Sequence, residues 1–230
     1  MIIKALKKYK NLILQIQFYK KLIKKDDLCF DIGANIGKKS KLFLSLKAKV
    51  IAFEPQTKCF QFLNKINNSN FTYHSFGVGS KNETKQLYLA NHIEVATFSN
   101  KMIDFYTTEN LKWKKNEEVI VKKLDTLIEE FGLPDYCKID TEGFELDILS
   151  NLSYKIPIIE FEFNEAFVNE TLLILDYISN LGNYEFNYIL NETPKFINKE
   201  WCTISKIKKQ LTQLQKNRLH GNLFAKLIEV

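Results

Sequence analysis

The chain has 230 residues, 45% of them hydrophobic. This length and composition are enough for one substantial hydrophobic core and too little for two domains with a core each. Its formal net charge is +6, from 33 basic and 27 acidic residues, and this mild excess does not favour a nucleic-acid partner. The four cysteines lack paired spacing and a nearby histidine, so they predict neither a zinc site nor a disulfide framework. Cys29 and Cys137 fall within apolar, strand-like runs and are predicted to be core residues.

The first predicted element is a basic amphipathic helix within residues 1–26. Apolar side chains recur there between eight lysines. The segment has neither a long apolar run nor a small-residue cleavage site, so we expect the protein in the cytoplasm. Two interpretations of the helix stay open. It is either a cover packed on the domain or a lid that contacts a membrane surface or the acceptor.

Residues 27–230 are predicted to form one α/β domain, because short β-branched or aromatic runs alternate with longer helical patterns. This alternation is typical of a Rossmann-like fold, with a mostly parallel twisted sheet and helices on both faces. The predicted strands are 28–32, 50–53, 71–76, 136–139, 156–163 and 184–190, and the helices between them are 39–46, 57–66, 144–149 and 166–180.

Two segments depart from this alternation. After the third strand, 86–89 and 118–124 are predicted as extra strands around a polar, aromatic insertion at about 91–117. Near the end of the chain, a lysine-rich and helical insertion at 194–220 precedes a last, antiparallel strand at 222–230. The sheet is therefore expected to finish with a hairpin-like pair of strands.

The loop after the first predicted strand is a candidate cofactor site. The strand ends in Asp31, and the loop that follows contains Gly33, Ala34, Asn35 and Gly37. Ligands of doubly wound sheets bind beyond the carboxyl ends of the strands, where glycines let the backbone approach closely. These five residues are therefore predicted to bind a cofactor. A tight strand-to-helix turn with incidental glycines is the alternative interpretation.

Glu54 and Pro55 follow the second strand. About twenty residues after the loop, a carboxylate such as that of Glu54 can accept hydrogen bonds from two ribose hydroxyls, which disfavours the incidental-turn interpretation. The glycine spacing differs from the G-x-G-x-x-G that pyrophosphate requires, whereas Asp31 and Asn35 suit a positively charged sulfonium cofactor. S-adenosylmethionine is the predicted cofactor. An NADP-linked oxidoreductase is the lower-ranked alternative.

The turn after the third strand is the expected contact for the adenine ring. Gly77 and Val78 offer close backbone approach and an apolar surface there. The glycines can equally serve only a bend into the extra strands. Both interpretations are left open.

Asp140 ends the fourth predicted strand and faces the same crevice, with Lys138 two residues earlier on the same strand face. Methyl transfer from a sulfonium requires an aligned acceptor and a group that receives its proton. Asp140 is the first candidate for this base and also a candidate cofactor contact, followed by Glu142 and Glu160, with His92 as an outside candidate. Asp140 is also the candidate ligand of a Mg²⁺ ion.

Three motifs resemble the FkbM-type S-adenosylmethionine-dependent methyltransferases. They are D-I-G-A-N-I-G at 31–37, A-F-E-P at 52–55 and K-I-D-T-E-G-F-E at 138–145, and the likeness spans roughly 27–163. The resemblance implies a class I methyltransferase that methylates a hydroxyl of a sugar in surface polysaccharide biosynthesis or of a secondary metabolite. It leaves the acceptor and the oligomeric state open. The alternative is a methyltransferase fold that has lost its chemistry and binds a membrane surface or a glycan.

Overall fold

Helices and strands alternate along the described part of the chain, which comprises residues 2–92, 95–108, 111–191, 193–214 and 220–228 of a computed structural model. The α-helices are α1 Ile2–Tyr19, α2 Lys38–Ser45, α3 Phe60–Leu63, α4 Asn100–Tyr106, α5 Leu124–Phe131, α6 Glu145–Leu149, α7 Val168–Leu181 and α8 Ile204–Leu214. The strands are β1 Leu28–Ile32, β2 Lys49–Phe53, β3 Phe71–His74, β4 Gly77–Gly79, β5 Glu83–Ala90, β6 Ala96–Thr97, β7 Trp113–Lys123, β8 Tyr136–Ile139, β9 Ile158–Asn164, β10 Tyr184–Leu190 and β11 His220–Leu227.

The main sheet has seven strands in the order β10-β11-β9-β8-β1-β2-β3. The five strands from β9 to β3 are parallel, as predicted, because each is followed by a helical or irregular crossover. The last strand, β11, lies between β9 and β10 and is antiparallel to both. The predicted C-terminal pair is thus confirmed. Residues 215–219 of the predicted insertion and residues 229–230 of the predicted strand lie outside the described residues.

A second sheet of four strands, in the order β4-β7-β5-β6, corrects part of the prediction. The predicted strand 71–76 ends at His74, and the chain then leaves the main sheet so that β4 can pair with β7. The predicted extra strands are present as β5 and β7, and both begin earlier than predicted. Their antiparallel pairing begins with Glu83 opposite Val121 and explains the greater length. The ladder satisfies the backbone N–H and C=O groups of polar residues that lie outside the hydrophobic pattern.

Helices α4 and α5 were not predicted from the sequence. The predicted strand 118–124 is wrong at its last residue, because Leu124 begins α5. Leu124, Leu127 and Ile128 are all buried at helical spacing, a pattern that marks this helix in the sequence. In α4, the side chain of Ser99 accepts a hydrogen bond from the amide of Met102 and caps a helix within the predicted irregular insertion.

Among the described side chains of helix α1, those of its last turn pack on the main sheet. Phe18 and Tyr19 are buried in a core cluster with residues of β1, β2, β8 and α2. The preceding residues, from Tyr9 to Leu14, are exposed. Among the described residues, no helix is both long and apolar enough to cross a membrane.

Candidate active site

A cavity opens at the carboxyl ends of the parallel strands, beside the loops that follow β1, β2 and β8. Parallel strands bring these loops to the same edge of the sheet. Residues from every predicted cofactor motif line it: Gly33, Ala34, Asn35, Glu54, Pro55, Gly77, Val78 and Asp140. Of the residues predicted to bind the cofactor, Asp31 and Gly37 are absent from the lining.

The loop after β1 is held against both neighbouring strands. The amide of Gly33 donates a hydrogen bond to the carbonyl oxygen of Phe53, at 2.9 Å. Gly33 has a φ of 74°, and a Cβ added to it would lie 1.8 Å from the backbone oxygen of Asp140. Gly37 also has a positive φ, but its added Cβ would meet Ile66, so it serves helix packing. The two glycines therefore have different roles.

Glu54 is buried at the edge of the cavity. One carboxylate oxygen accepts a hydrogen bond from the amide of Asn35 at 2.7 Å, and the other accepts one from the amide of Gln56 at 2.8 Å. Burial raises the pKa of Glu54 to about 7, although these two hydrogen bonds oppose the shift. Each oxygen keeps a second lone pair, so the carboxylate can also accept two hydroxyl donors from a ligand.

The opposite wall of the cavity is apolar. Gly77 and Val78 line it together with Leu87, Ala96 and Phe98 from the second sheet. A Cβ on Gly77 would lie 2.8 Å from the ring of Phe98, so the lack of a side chain allows close packing against this ring. The sequence analysis missed the last three residues, because no motif connects the second sheet to the cofactor loops.

Asp31 lies below the cavity in a buried charge network. Its carboxylate accepts a hydrogen bond from the Ser40 hydroxyl at 2.5 Å, and the Lys138 ammonium lies 3.7 Å from its other oxygen. Lys138 also forms an ion pair with Asp140 at 2.9 Å. Burial by itself lowers the pKa of Lys138, but the carboxylates of Asp140 and Asp31 outweigh it and raise the pKa. Lys138 therefore stays charged and pairs with both carboxylates.

Three carboxylates form a cluster at the end of the cavity nearest β9. Asp140, Glu142 and Glu162 each place one oxygen within 4.8 Å of the others, and all three line the cavity. Burial, followed by the charges of Asp140 and Glu145, raises the pKa of Glu142 to about 8. Burial and the neighbouring carboxylates also raise the pKa of Glu162 well above its ordinary value. The cluster favours a bound cation or a shared proton.

Glu145 organises the loop that carries Glu142. Its carboxylate accepts hydrogen bonds from the amide and hydroxyl of Thr141, at 2.8 and 3.0 Å, and from the amide of Gly143 at 3.1 Å. Burial raises its pKa to about 7. Glu142 has a φ of 55° within this loop, a conformation that a side chain rarely adopts without such support. Glu145 is thus a structural residue.

The structure does not bring Glu160 to the cavity. Glu160 is fully buried and accepts hydrogen bonds from the hydroxyls of Tyr19 and Tyr136 and from the side-chain amide of Asn222. The Lys39 ammonium lies 3.9 Å away. These contacts join α1, α2 and three strands, so the location does not support a role for Glu160 as a base. Because side chains alternate along a strand, Glu162 shares its face and lies closer to the carboxyl end.

His92 is also distant from the candidate chemistry. It is exposed in the turn after β5 and does not line the cavity. Gln15 of α1 and Lys38 and Lys39 of α2 also line the cavity. None of these three residues was among the predicted site residues.

Replacing Tyr136 with Phe should reduce the free energy of unfolding by about 1.5–3 kcal/mol, because a buried carboxylate loses a donor. The control is Tyr184→Phe, which removes a buried hydrogen bond to the neutral carbonyl oxygen of Ile156. That change should cost only about 0.5–1.5 kcal/mol. Urea denaturation of both variants measures the difference. Equal losses would show that the Glu160 network has no special energetic weight.

The sheet order, the inserted antiparallel strand and the cavity with Glu54 define a class I methyltransferase architecture. The chain belongs to the FkbM family of S-adenosylmethionine-dependent methyltransferases, since the family model described as Methyltransferase FkbM domain matches residues 31–186. The match includes the glycine loop, Glu54 and the acidic cluster. The predicted family is confirmed.

Solved structures that are similar to the chain include several methyltransferases. Precorrin-6y C5,15-methyltransferase from Geobacter metallireducens GS-15 is 13% identical, with a TM-score of 0.46 and coverage of 94% of this chain and 86% of that chain. The plantazolicin methyltransferase BpumL, in complex with a monoazolic desmethylPZN analog and SAH, is 11% identical, with a TM-score of 0.47 and coverage of 94% and 83%. An rRNA methylase from Streptococcus thermophilus is 12% identical, with a TM-score of 0.44 and coverage of 93% and 94%. No curated protein matches the sequence. These identities give no basis for assigning a substrate.

Proposed function

We propose that this methyltransferase acts in the cytoplasm on a hydroxyl oxygen of a sugar in a surface polysaccharide precursor or of a secondary metabolite. The observation that carries the proposal is the pairing of two features in one cavity. Buried Glu54 lies at one end, and the cluster of Asp140, Glu142 and Glu162 lies at the other. The first suits a nucleoside, and the second suits an acceptor that gives up a proton.

The sheet order supports one orientation of the cofactor and the acceptor in the cavity. Glu54 follows β2, whereas Glu162 lies on β9, three strands away. At roughly 4.8 Å per strand, the two carboxylates are about 14 Å apart along the edge of the sheet. A nucleoside bound at Glu54 therefore directs the rest of the cofactor towards Asp140. The acceptor then lies beside the cluster of Asp140, Glu142 and Glu162.

Glu162 is the residue that we propose as the base. S-adenosylmethionine supplies an activated methyl group when bound, so the chain has to align the acceptor oxygen and receive its proton. Lys138 forms an ion pair with Asp140, so the carboxylate of Asp140 is already engaged by a cation. Glu162 has no such partner among the described ion pairs, and its pKa is raised by burial. Asp140 then positions the reacting groups, and Glu162 takes the proton.

A Mg²⁺ ion at Asp140 is the second arrangement that this cluster can hold. The ion prefers oxygen ligands, and Asp140, Glu142 and Glu162 offer three at a compatible spacing. Such an ion would bind the acceptor oxygens and lower the pKa of a hydroxyl. The Lys138 ammonium beside Asp140 counts against it, because it already neutralises part of the negative charge. Turnover in EDTA, with and without added Mg²⁺, separates the two arrangements.

Calorimetric titration with S-adenosylhomocysteine tests the cofactor site. We expect wild-type protein to bind it and not NADP. Replacing Glu54 with Ala should weaken binding by about 10²-fold or more, because two hydrogen bonds to a charged acceptor are lost. Glu118→Ala, which removes an exposed carboxylate of β7, is the matched control and should bind as wild type does.

The outcomes of this titration are distinct. Loss of binding in the Glu54 variant alone supports the proposed site and directs the search for acceptors to glycans. Binding of NADP instead would revive the oxidoreductase interpretation. Failure of wild-type protein to bind S-adenosylhomocysteine would contradict the proposed function and leave a methyltransferase fold without its chemistry.

A further inference from the structure

Helix α1 exposes apolar side chains beyond the edge of the domain. Its last turn packs on the core, where Tyr19 is fully buried and Ile16 is partly buried. The same faces of the helix continue towards the N-terminus, because residues three and four apart lie above one another. Along this extension, four large apolar residues are exposed: Tyr9 by 65%, Leu12 by 45%, Leu14 by 43% and Ile13 by 38%.

The charge of this segment identifies the kind of partner. Residues 1–25 contain eight lysines and no acidic residue. Among the described side chains of this segment, those of Lys10, Lys20, Lys21 and Lys24 are exposed. Apolar side chains interspersed with lysines are typical of a helix that lies in the interface of an anionic membrane. An ordinary solvated helix carries acidic as well as basic side chains, whereas residues 1–25 carry no acidic one.

A second copy of the chain fits this surface poorly. Two copies of residues 1–25 packed side by side would bring sixteen lysines together, twice the eight in one segment, without an acidic residue in either segment to pair with them. Helix pairs are normally matched by opposite charges beside the apolar seam, and like charges oppose association. An anionic lipid surface, in contrast, attracts every one of these lysines.

We infer that α1 docks this protein on an anionic membrane surface, with Leu12 and Ile13 inserted among the lipid headgroups. The inference is independent of the proposed function. Gln15, one turn from Leu12, lines the cavity, so docking brings this part of the cavity wall close to the membrane. Tyr19 anchors the base of the helix through the buried Glu160 network, which fixes the helix relative to the cavity.

Vesicle flotation with the full chain tests the inference. Vesicles of phosphatidylcholine alone are compared with vesicles that contain about 30% phosphatidylglycerol. We expect binding only to the anionic vesicles, and we expect added salt to weaken it, since the attraction is screened. Absence of binding to the anionic vesicles, or equal binding to both kinds, would overturn the inference.

Two pairs of variants assign the binding to α1. Leu12→Asp with Ile13→Asp should weaken vesicle binding by about tenfold or more, whereas Leu133→Asp with Leu173→Asp, at other exposed apolar positions, should not change it. Lys20→Glu with Lys21→Glu should weaken it by a similar factor, and the control is Lys58→Glu with Lys155→Glu. Equal effects of variants and controls would contradict the assignment.

Light scattering without vesicles tests the remaining alternative, in which a second copy of the chain covers this surface. The inference expects the same molar mass for wild-type protein and for the variant with Leu12→Asp and Ile13→Asp. A dimer that this variant converts to a monomer would overturn it in favour of a second copy. Neither readout uses turnover, so failure here and failure of the cofactor titration are distinguishable.

Discussion

Replacing Asp140 with Asn is expected to lower kcat by about 10²–10⁴-fold and to change the affinity for S-adenosylhomocysteine only a few-fold. The amide keeps the shape of the side chain but cannot hold the negative charge that pairs with Lys138 at 2.9 Å. Steady-state turnover with an identified acceptor and calorimetry with the product measure the two quantities. Asp104→Asn, at an exposed carboxylate of α4, is the matched control. Full activity of the Asp140 variant would exclude it from the reaction.

The pH dependence of the same reaction identifies the base. A base acts when deprotonated, so kcat/KM should rise with pH through the pKa values of the cluster, where Glu142 titrates at about 8. Glu162→Gln should abolish this rising limb of the pH profile together with most of the activity. Glu142→Gln should keep activity and move the limb to lower pH, because the pKa of Glu162 is raised in part by the charge of Glu142. The reverse pattern would make Glu142 the base.

Gly33→Ala is expected to reduce the free energy of unfolding by about 3 kcal/mol or more and to abolish binding of S-adenosylhomocysteine. The added Cβ would lie 1.8 Å from the backbone oxygen of Asp140, so either the glycine loop or the end of β8 has to move. Both line the cavity. Urea denaturation gives the stability, and calorimetry gives the binding.

Gly132→Ala separates this clash from the strain of a positive φ. Gly132 has a φ of 96°, but its added Cβ would meet only a side-chain atom of Leu28, at 3.7 Å. It should therefore cost about 1–3 kcal/mol, the ordinary penalty of a backbone conformation that residues other than glycine rarely adopt, and leave binding intact. A loss for Gly33→Ala no larger than this would show that the contact with Asp140 is easily relaxed.

The parts of the fold that the sequence predicted are those with regular periodicity. β1, β8 and β10 have the predicted bounds, because their apolar runs are bounded by polar or turn residues. The second sheet and α4 were predicted poorly. Their residues pair or pack over long sequence distances, and local patterns do not record such contacts. The helix at Leu124 was missed although its spacing was present in the sequence.

The sequence by itself determined the family and the positions of the cofactor loops, because a glycine loop after one strand and an acid after the next have meaning through their order alone. Glu162 was not among the residues predicted from the sequence, and only the tertiary structure places it in the cavity and Glu160 outside it. Both project from the same face of β9, and burial under Tyr19 removes Glu160 from the cavity while Glu162 remains in it. The structure likewise decided that α1 is partly packed and partly exposed. The reason is the same in both cases. Burial depends on which elements pack against one another, and the spacing of residues along the sequence does not record those contacts.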